Sequence, residues 1–324
     1  MEENHTTITD FILLDFPELH QLEFLMGLLL LASYLIILAG NILIIFIIIH
    51  DHHLHTPMYY FLWNLSCLEI LITTCVVPKV VTSLLLGFKT ISYPACLSQC
   101  YFFFFLGSSD FVLLAVMSYD RYVAICNPLR YASIMSTQLC LFLTVTSCAA
   151  GFLATLLPTI LVARLPFCQS NHIDHFFCDS LALMKLACSD TSLAELISFF
   201  SSSATLLSSL IFTVVTFAYI IATILKLPSA SGRRKAFSTC SSHLMIVSLG
   251  YGSCIFTYVR PSGSNPSINK IVSLINTVLT PVLSPFIFSL RNHQVKQAMK
   301  AAFIRCAILL KNGDMKGHGF SEKK

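Results

Sequence analysis

The chain has 324 residues, 56% of them hydrophobic and only 11% charged, with a mean hydropathy of +0.77 and a formal charge of +4. A water-soluble domain of this size does not carry so much apolar surface, so the solvent for most of the chain is lipid. A nucleic-acid partner is not expected.

A membrane-spanning helix needs ~20 mostly apolar residues. In chain order the stretches that qualify are Phe24 to Ile49, Pro57 to Val77, Cys96 to Val116, Leu139 to Val162, Leu196 to Leu225, Ala236 to Val259 and Ile271 to Leu290. They predict an all-α membrane protein. Its expected parts are an extracellular N-terminus over residues 1–23, a seven-helix bundle over 24–290, and a cytoplasmic amphipathic helix and tail over 291–324.

Orientation follows from the basic residues, which are retained on the cytoplasmic side. No Lys or Arg precedes Lys79, whereas Lys226, Arg233, Arg234, Lys235, Arg291, Lys296, Lys300, Arg305 and Lys311 follow the fifth and seventh helices. The N-terminus is therefore expected outside and the C-terminus inside. The first loop, His50 to Thr56, has neither Lys or Arg, so the later clusters carry this reading. The start of the chain lacks a basic n-region, and the first helix is expected to act as its own insertion signal. Asn4-His5-Thr6 is an N-glycosylation acceptor on the side assigned as extracellular.

Most of the 13 cysteines lie inside apolar stretches, where a thiol packs as a small hydrophobe. Cys96, Cys168, Cys178 and Cys188 lie instead at or beyond the extracellular ends of helices, and four cysteines allow three pairings. His172, His175, Cys178 and Asp179 are conceivable metal ligands, but an oxidised Cys178 cannot ligate as a thiolate. His50, His52, His53 and His55 read likewise as loop residues at a polar interface.

Within the membrane, ionisable groups are costly and mark function. Glu69 in the second helix and Asp110 in the third are the two such carboxylates. Two neighbouring carboxylates cannot both stay ionised without a compensating cation, so they are candidate ligands of a sodium ion or partners in sharing a proton. Two separately hydrogen-bonded acids are the alternative. Beyond the seventh helix, Val295, Ala298, Met299, Ala302, Phe303 and Cys306 recur at helical spacing between Lys296, Lys300 and Arg305, the pattern of a helix lying on a membrane surface. Past Lys311 the tail is polar and expected to be disordered.

The segment from Met117 to Tyr131 reads MSYDRYVAICNPLRY and puts the Asp120–Arg121 pair at the end of an apolar helix. It resembles the MAYDRYVAICxPLRY signature of olfactory receptors, the odorant-sensing branch of rhodopsin-like G-protein-coupled receptors, and departs only at Ser118. Three more segments resemble that family in the right order: Leu54 to Tyr59 (LHTPMY), Lys235 to Leu244 (KAFSTCSSHL) and Pro281 to Asn292 (PVLSPFIFSLRN). Departures are Ser284 in place of Asn, Phe288 in place of Tyr, Gly250 in place of Phe, Ala218 in place of Ser before Tyr219, and the exchange of Glu69 and Asp110, which the family usually has as Asp and Glu.

The resemblance implies disulfides Cys96–Cys178 and Cys168–Cys188. It implies that Asp120 and Arg121, with Tyr122 and Tyr219, form the switch that holds the resting state. Ligand binding would release it, exposing Arg121 to a heterotrimeric G protein of the stimulatory, olfactory type and raising cAMP. Arg233, Arg234 and Lys235 would meet that protein or anionic membrane lipid. By family position the odorant pocket would use Phe103, Phe104, Gly107, Ser108 and Phe111 of the third helix, Ser203 and Leu207 of the fifth, Tyr251, Cys254 and Tyr258 of the sixth, and Thr277 of the seventh.

Amine receptors place an Asp where this chain has Phe103, and Asp110 lies ~10 Å deeper along the helix. The expected ligand is therefore a small, neutral, largely apolar volatile making one or two hydrogen bonds. An ion- or proton-coupled transporter or channel is the alternative, because intramembrane carboxylates also carry ions; it predicts internal repeats or paired Gly/Pro-broken helices, and no 3+3 repeat is seen in the sequence. No HExxH, GxSxG or phosphate-binding Gly loop is present, and an enzyme is not expected.

Overall fold

A computed structural model describes residues 9–14, 21–168, 170–258, 266–291, 295–298 and 300. Among them are seven long helices: α1 (Glu23–His50), α2 (Pro57–Leu86), α3 (Tyr93–Cys126), α4 (Thr137–Ala163), α5 (Ser192–Leu225), α6 (Ala230–Tyr258) and α7 (Pro266–Arg291). The first five are long and apolar enough to cross a membrane; α7 holds a shorter apolar stretch, Thr277–Phe288. Several run past the apolar stretches of the sequence, α2 to Leu86 and α3 to Cys126, because a helix that leaves lipid still satisfies its own backbone.

Local chemistry sets the ends. Pro57 opens α2 at a position whose N–H has no helical partner, and Gly87 closes it at φ 72°, a left-handed conformation that glycine adopts without steric cost. Ser136 caps α4 by accepting from the Leu139 N–H at 3.3 Å. Where α4 meets α3, a Cβ on Gly151 would stand 2.7 Å from both the Phe105 carbonyl and the Ser109 N–H, so only glycine permits this approach. The largest cluster of buried apolar side chains joins α1, α2, α3, α6 and α7 and includes Tyr59, Phe61, Leu113, Met117, Ile246 and Phe288.

One end of the bundle is capped, and the cap carries a small β-sheet that the sequence reading did not anticipate. Strand β1 (Asp10–Leu13) lies between β2 (Thr90–Ser92), to which it is antiparallel, and β3 (His172–Ile173), to which it is parallel. Three segments far apart in sequence thus share one small sheet, with Phe11, Leu13 and Ile173 fully buried beneath it. Disulfides Cys96–Cys178 and Cys168–Cys188, the pairing implied by the family resemblance, tie the α4–α5 connection to α3 and to itself, with Cα separations of 5.4 and 5.9 Å. Gln99 reinforces the first: its amide donates to the Cys75 carbonyl at 2.9 Å and accepts from the Cys178 N–H at 3.0 Å. Val295 and Ala298 are buried while Lys296 and Lys300 are exposed, the two-sided pattern expected of the segment after α7. Asn4 and residues 301–324 lie outside the described part.

Candidate functional site: a capped cavity and a buried ion pair

A cavity of about 400 Å³ opens beneath the cap, walled by α2, α3, α5, α6, α7 and the α4–α5 connection. Its aromatic wall comes from Phe103, Phe104 and Phe111 of α3 and from Phe177, whose ring lies 4.7 Å from that of Phe103. Gly107 and Ser108 face it between these rings, and Cys254 and Thr277 close the opposite side. Seven of the residues named from family position thus line one space.

The phase of α5 is different from that expected. Ser202, Thr205 and Leu206 line the cavity, whereas Ser203 does not and Leu207 is 53% exposed on the outer face. One residue turns a helix by ~100°, so a shift of one position moves a side chain off the wall. Nor does Tyr251 line the cavity. It is buried behind Phe111, with ring centroids 5.1 Å apart and its hydroxyl donating to the Phe111 carbonyl at 3.4 Å. The Tyr258 side chain lies outside the described part.

The two ends of the cavity are polar. At its floor stand Glu69 and Asp110. Among the described residues Glu69 Oε2, Asp110 Oδ1, Asn41 Oδ1 and Ser66 Oγ are buried without a hydrogen-bond partner. Ser284 and Asn41 are within hydrogen-bonding reach of the Glu69 carboxyl, and Asp110 acts on it electrostatically. The departure at Ser284 therefore meets the departure at Glu69: a longer carboxylate faces a shorter partner. Oxygen-only donors with two carboxylates suit a hard cation; Glu69 and Asp110 would hold it, and its positive charge would let both stay ionised.

At the roof, Asp174, His175, Asp179, Lys185 and Lys270 border the cavity, none of which the sequence reading had placed in the pocket. Asp179 caps the short helix Ser180–Met184, accepting from the Leu181 and Ala182 N–H groups at 3.0 Å each. The Lys270 ammonium donates to Asp174 Oδ1 and to the Leu14 carbonyl, both at 2.7 Å. Burial holds the His175 imidazole below its usual pKa; the Asp179 carboxylate opposes this and the Lys270 ammonium adds to it. His175 is therefore neutral.

At the far end of α3, Asp120 and Arg121 form a buried ion pair: Asp120 Oδ2 accepts from Arg121 Nη2 and, at 2.9 Å, from Nε. Its other oxygen accepts from the Tyr131 hydroxyl at 2.7 Å. Burial, with the Asp120 carboxylate, pushes the Tyr131 phenol well above its usual pKa, so the hydroxyl stays a donor. Tyr122 packs edge-on to Tyr219, centroids 5.9 Å apart, and Tyr219 is itself exposed. Ser118, the one departure within this motif, is fully buried and accepts from Thr216 Oγ1 of α5 at 3.0 Å while donating to the Ala115 carbonyl.

The comparisons with known proteins agree with this arrangement. Residues 30–306 match the family described as olfactory receptor. Mouse (Mus musculus) olfactory receptor 6E1 is 52% identical over 299 residues, covering 92% of this chain and 96% of that protein. Human (Homo sapiens) olfactory receptors 6T1 and 6J1 are 50% and 49% identical over 301 and 299 residues, covering 93% and 92% of this chain and 93% and 86% of theirs. The chain belongs to the olfactory receptor family of multi-pass, G-protein-coupled membrane receptors, which are not enzymes.

Proposed function

We propose that this receptor lies in the plasma membrane with its cap outside and the Arg121 end inside, binds a small, neutral, mostly apolar odorant beneath the cap, and activates a stimulatory, olfactory-type G protein to raise cAMP. The observation that carries the reading is the cavity, whose charged groups stand at its two ends while its middle is aromatic and hydroxyl-bearing. An apolar body gains from Phe103, Phe104, Phe111 and Phe177, and hydroxyls such as Ser108 and Thr277 fix its orientation.

Signal transfer then runs through Phe111. An occupant pressing on this ring also presses on Tyr251, which holds α6 by ring packing and by its hydroxyl. A ligand that binds better when α6 has moved shifts the population toward that state. Arg121 then faces the G protein instead of Asp120. Arg233 and Arg234, exposed at the start of α6, stand at the same end for contact with G protein or lipid.

A cAMP reporter in cells expressing an olfactory-type stimulatory G protein, run over a panel of neutral odorants, tests the reading. A dose-dependent response lost in Arg121→Ala supports it. Silence across the panel despite surface expression refutes it. Sodium titration of the response in the parent and in Glu69→Gln tests the floor site: a response to sodium that is the same in both removes the shared cation.

A further inference from the structure

We infer that Lys270 is a specificity-determining residue, reading a hydrogen-bond acceptor on the ligand, the carbonyl oxygen of a neutral ketone or ester. This rests on the cavity being the odorant site.

The ion pair at the roof is lopsided. The Lys270 side chain is 5% exposed and Asp174 60% exposed, at an N–O distance of 2.7 Å. A carboxylate that already faces solvent loses little when its partner is shared, as for other surface ion pairs. A buried ammonium, by contrast, must keep acceptors around it or bear the full desolvation cost. Lys270 is therefore a fixed demand for acceptors, and Asp174 a partner that can yield a place. Its position makes the demand available to a ligand, because Lys270 borders the cavity itself. Lys185 borders it too but is exposed, so water competes for its protons. Asp179 is occupied by two backbone N–H groups and His175 is neutral, leaving Lys270 as the buried cation among the described residues of the roof.

The other end argues for a neutral acceptor over an anionic one. Lys270 and Pro281 both line the cavity, eleven residues apart on α7 and thus ~16 Å along its axis. Glu69 and Asp110 stand at the Pro281 end, so a carboxylate ligand would enter a space already bounded by two carboxylates and Asp174. A carbonyl oxygen accepts from the ammonium without adding charge, and a charge-assisted bond of this kind is stronger than one from a hydroxyl. The apolar remainder then runs down between Phe103, Phe104 and Phe111.

The test uses full-length receptor in lipid nanodiscs with two probes of one shape: 2-octanone, and 2-methyl-1-octene, in which a methylidene group replaces the carbonyl oxygen. A ketone condenses with a lysine amine less readily than an aldehyde does, and an ammonium held protonated by its acceptors does not add to it. Affinities from ligand-induced thermal stabilisation are expected to favour the ketone by ~10-fold in the parent, the scale of one charge-assisted hydrogen bond. Lys270→Met brings the ratio to one, Lys270→Arg keeps it above one, and Asp174→Ala raises it by removing the acceptor that competes with the ligand. If Lys270 only clasps the cap, Lys270→Met and Asp174→Ala weaken both probes alike and leave the ratio unchanged, which overturns the inference. So does a parent ratio of one, failure of both probes to bind, or tighter binding of octanoate than of 2-octanone. An Arg121-dependent cAMP response to other odorants in any of those cases leaves the receptor reading standing, so the two failures are distinguishable.

Discussion

Replacing Tyr131 with Phe removes one hydroxyl from beside the buried Asp120–Arg121 pair and leaves the ring in place. The Tyr131 hydroxyl is the hydrogen-bond donor found for Asp120 Oδ1, and Asp120 is 1% exposed, so water does not readily take its place. A hydrogen bond to a buried charged group contributes about 1.5–3 kcal/mol. If the resting state alone makes this bond, Tyr131→Phe raises the ratio of active to resting receptor by ~10- to 150-fold, limited by full activation. Basal cAMP without odorant, at matched surface expression, reads this directly, and Arg121→Ala in the same background should abolish the rise. Raising the pH to 9 should not mimic the substitution, because the phenol is held protonated well beyond its usual range. Unchanged basal cAMP in a normally expressed Tyr131→Phe receptor would refute the view that the Tyr131–Asp120–Arg121 cluster holds the resting state.

Ser118→Ala removes the α3–α5 hydroxyl contact, but Thr216 can turn fully to the Phe212 and Thr213 carbonyls it already reaches; a loss of about 0.5–1 kcal/mol and a ~2- to 5-fold rise in basal cAMP are expected. Gly151→Val drives a side chain into the α3 backbone, and surface expression measured by flow cytometry should fall sharply. Cys96→Ala with Cys178→Ala should lower thermal stability by about 2–5 kcal/mol, seen as an earlier unfolding transition in nanodiscs. His175 has its pKa lowered on folding, so the unfolded chain binds its proton first as pH falls. Its contribution is fully present above the usual 6.5 and is lost on acidification below it; His175→Gln should flatten that part of a stability-against-pH curve.

Helices α1 to α5 were legible because lipid imposes a long apolar run on each of them, whereas α7 keeps only the shorter apolar stretch Thr277–Phe288. The motif at Asp120–Arg121 was legible as a charge pair at a helix end. What escaped depended on phase or on distance along the chain. Ser201, Ser202 and Ser203 are chemically identical, so the sequence carries no signal for which of them faces inward, and α5 settles the matter by packing on α3 and α4. The sheet at the roof escaped because β1 to β3 have only two to four residues each and β1 pairs with β3 across 160 positions. Lys270 and Asp174 likewise lie 96 residues apart, and nothing local to either announces the other.

The place of β1 at the centre of its sheet has a consequence for how the receptor is made. β2 and β3 touch β1 and not each other, so the strand nearest the N-terminus must wait for the one at His172–Ile173 before the sheet is complete. By then α1 to α4 have all been synthesised, since α4 ends at Ala163. Biosynthesis therefore passes through a stage in which four helices are made while their cap is still open, with the β3-facing edge of β1 unpaired and Cys96 without its partner Cys178. That interval exposes one strand edge and a free thiol to the oxidising compartment, and it is where folding assistance would act.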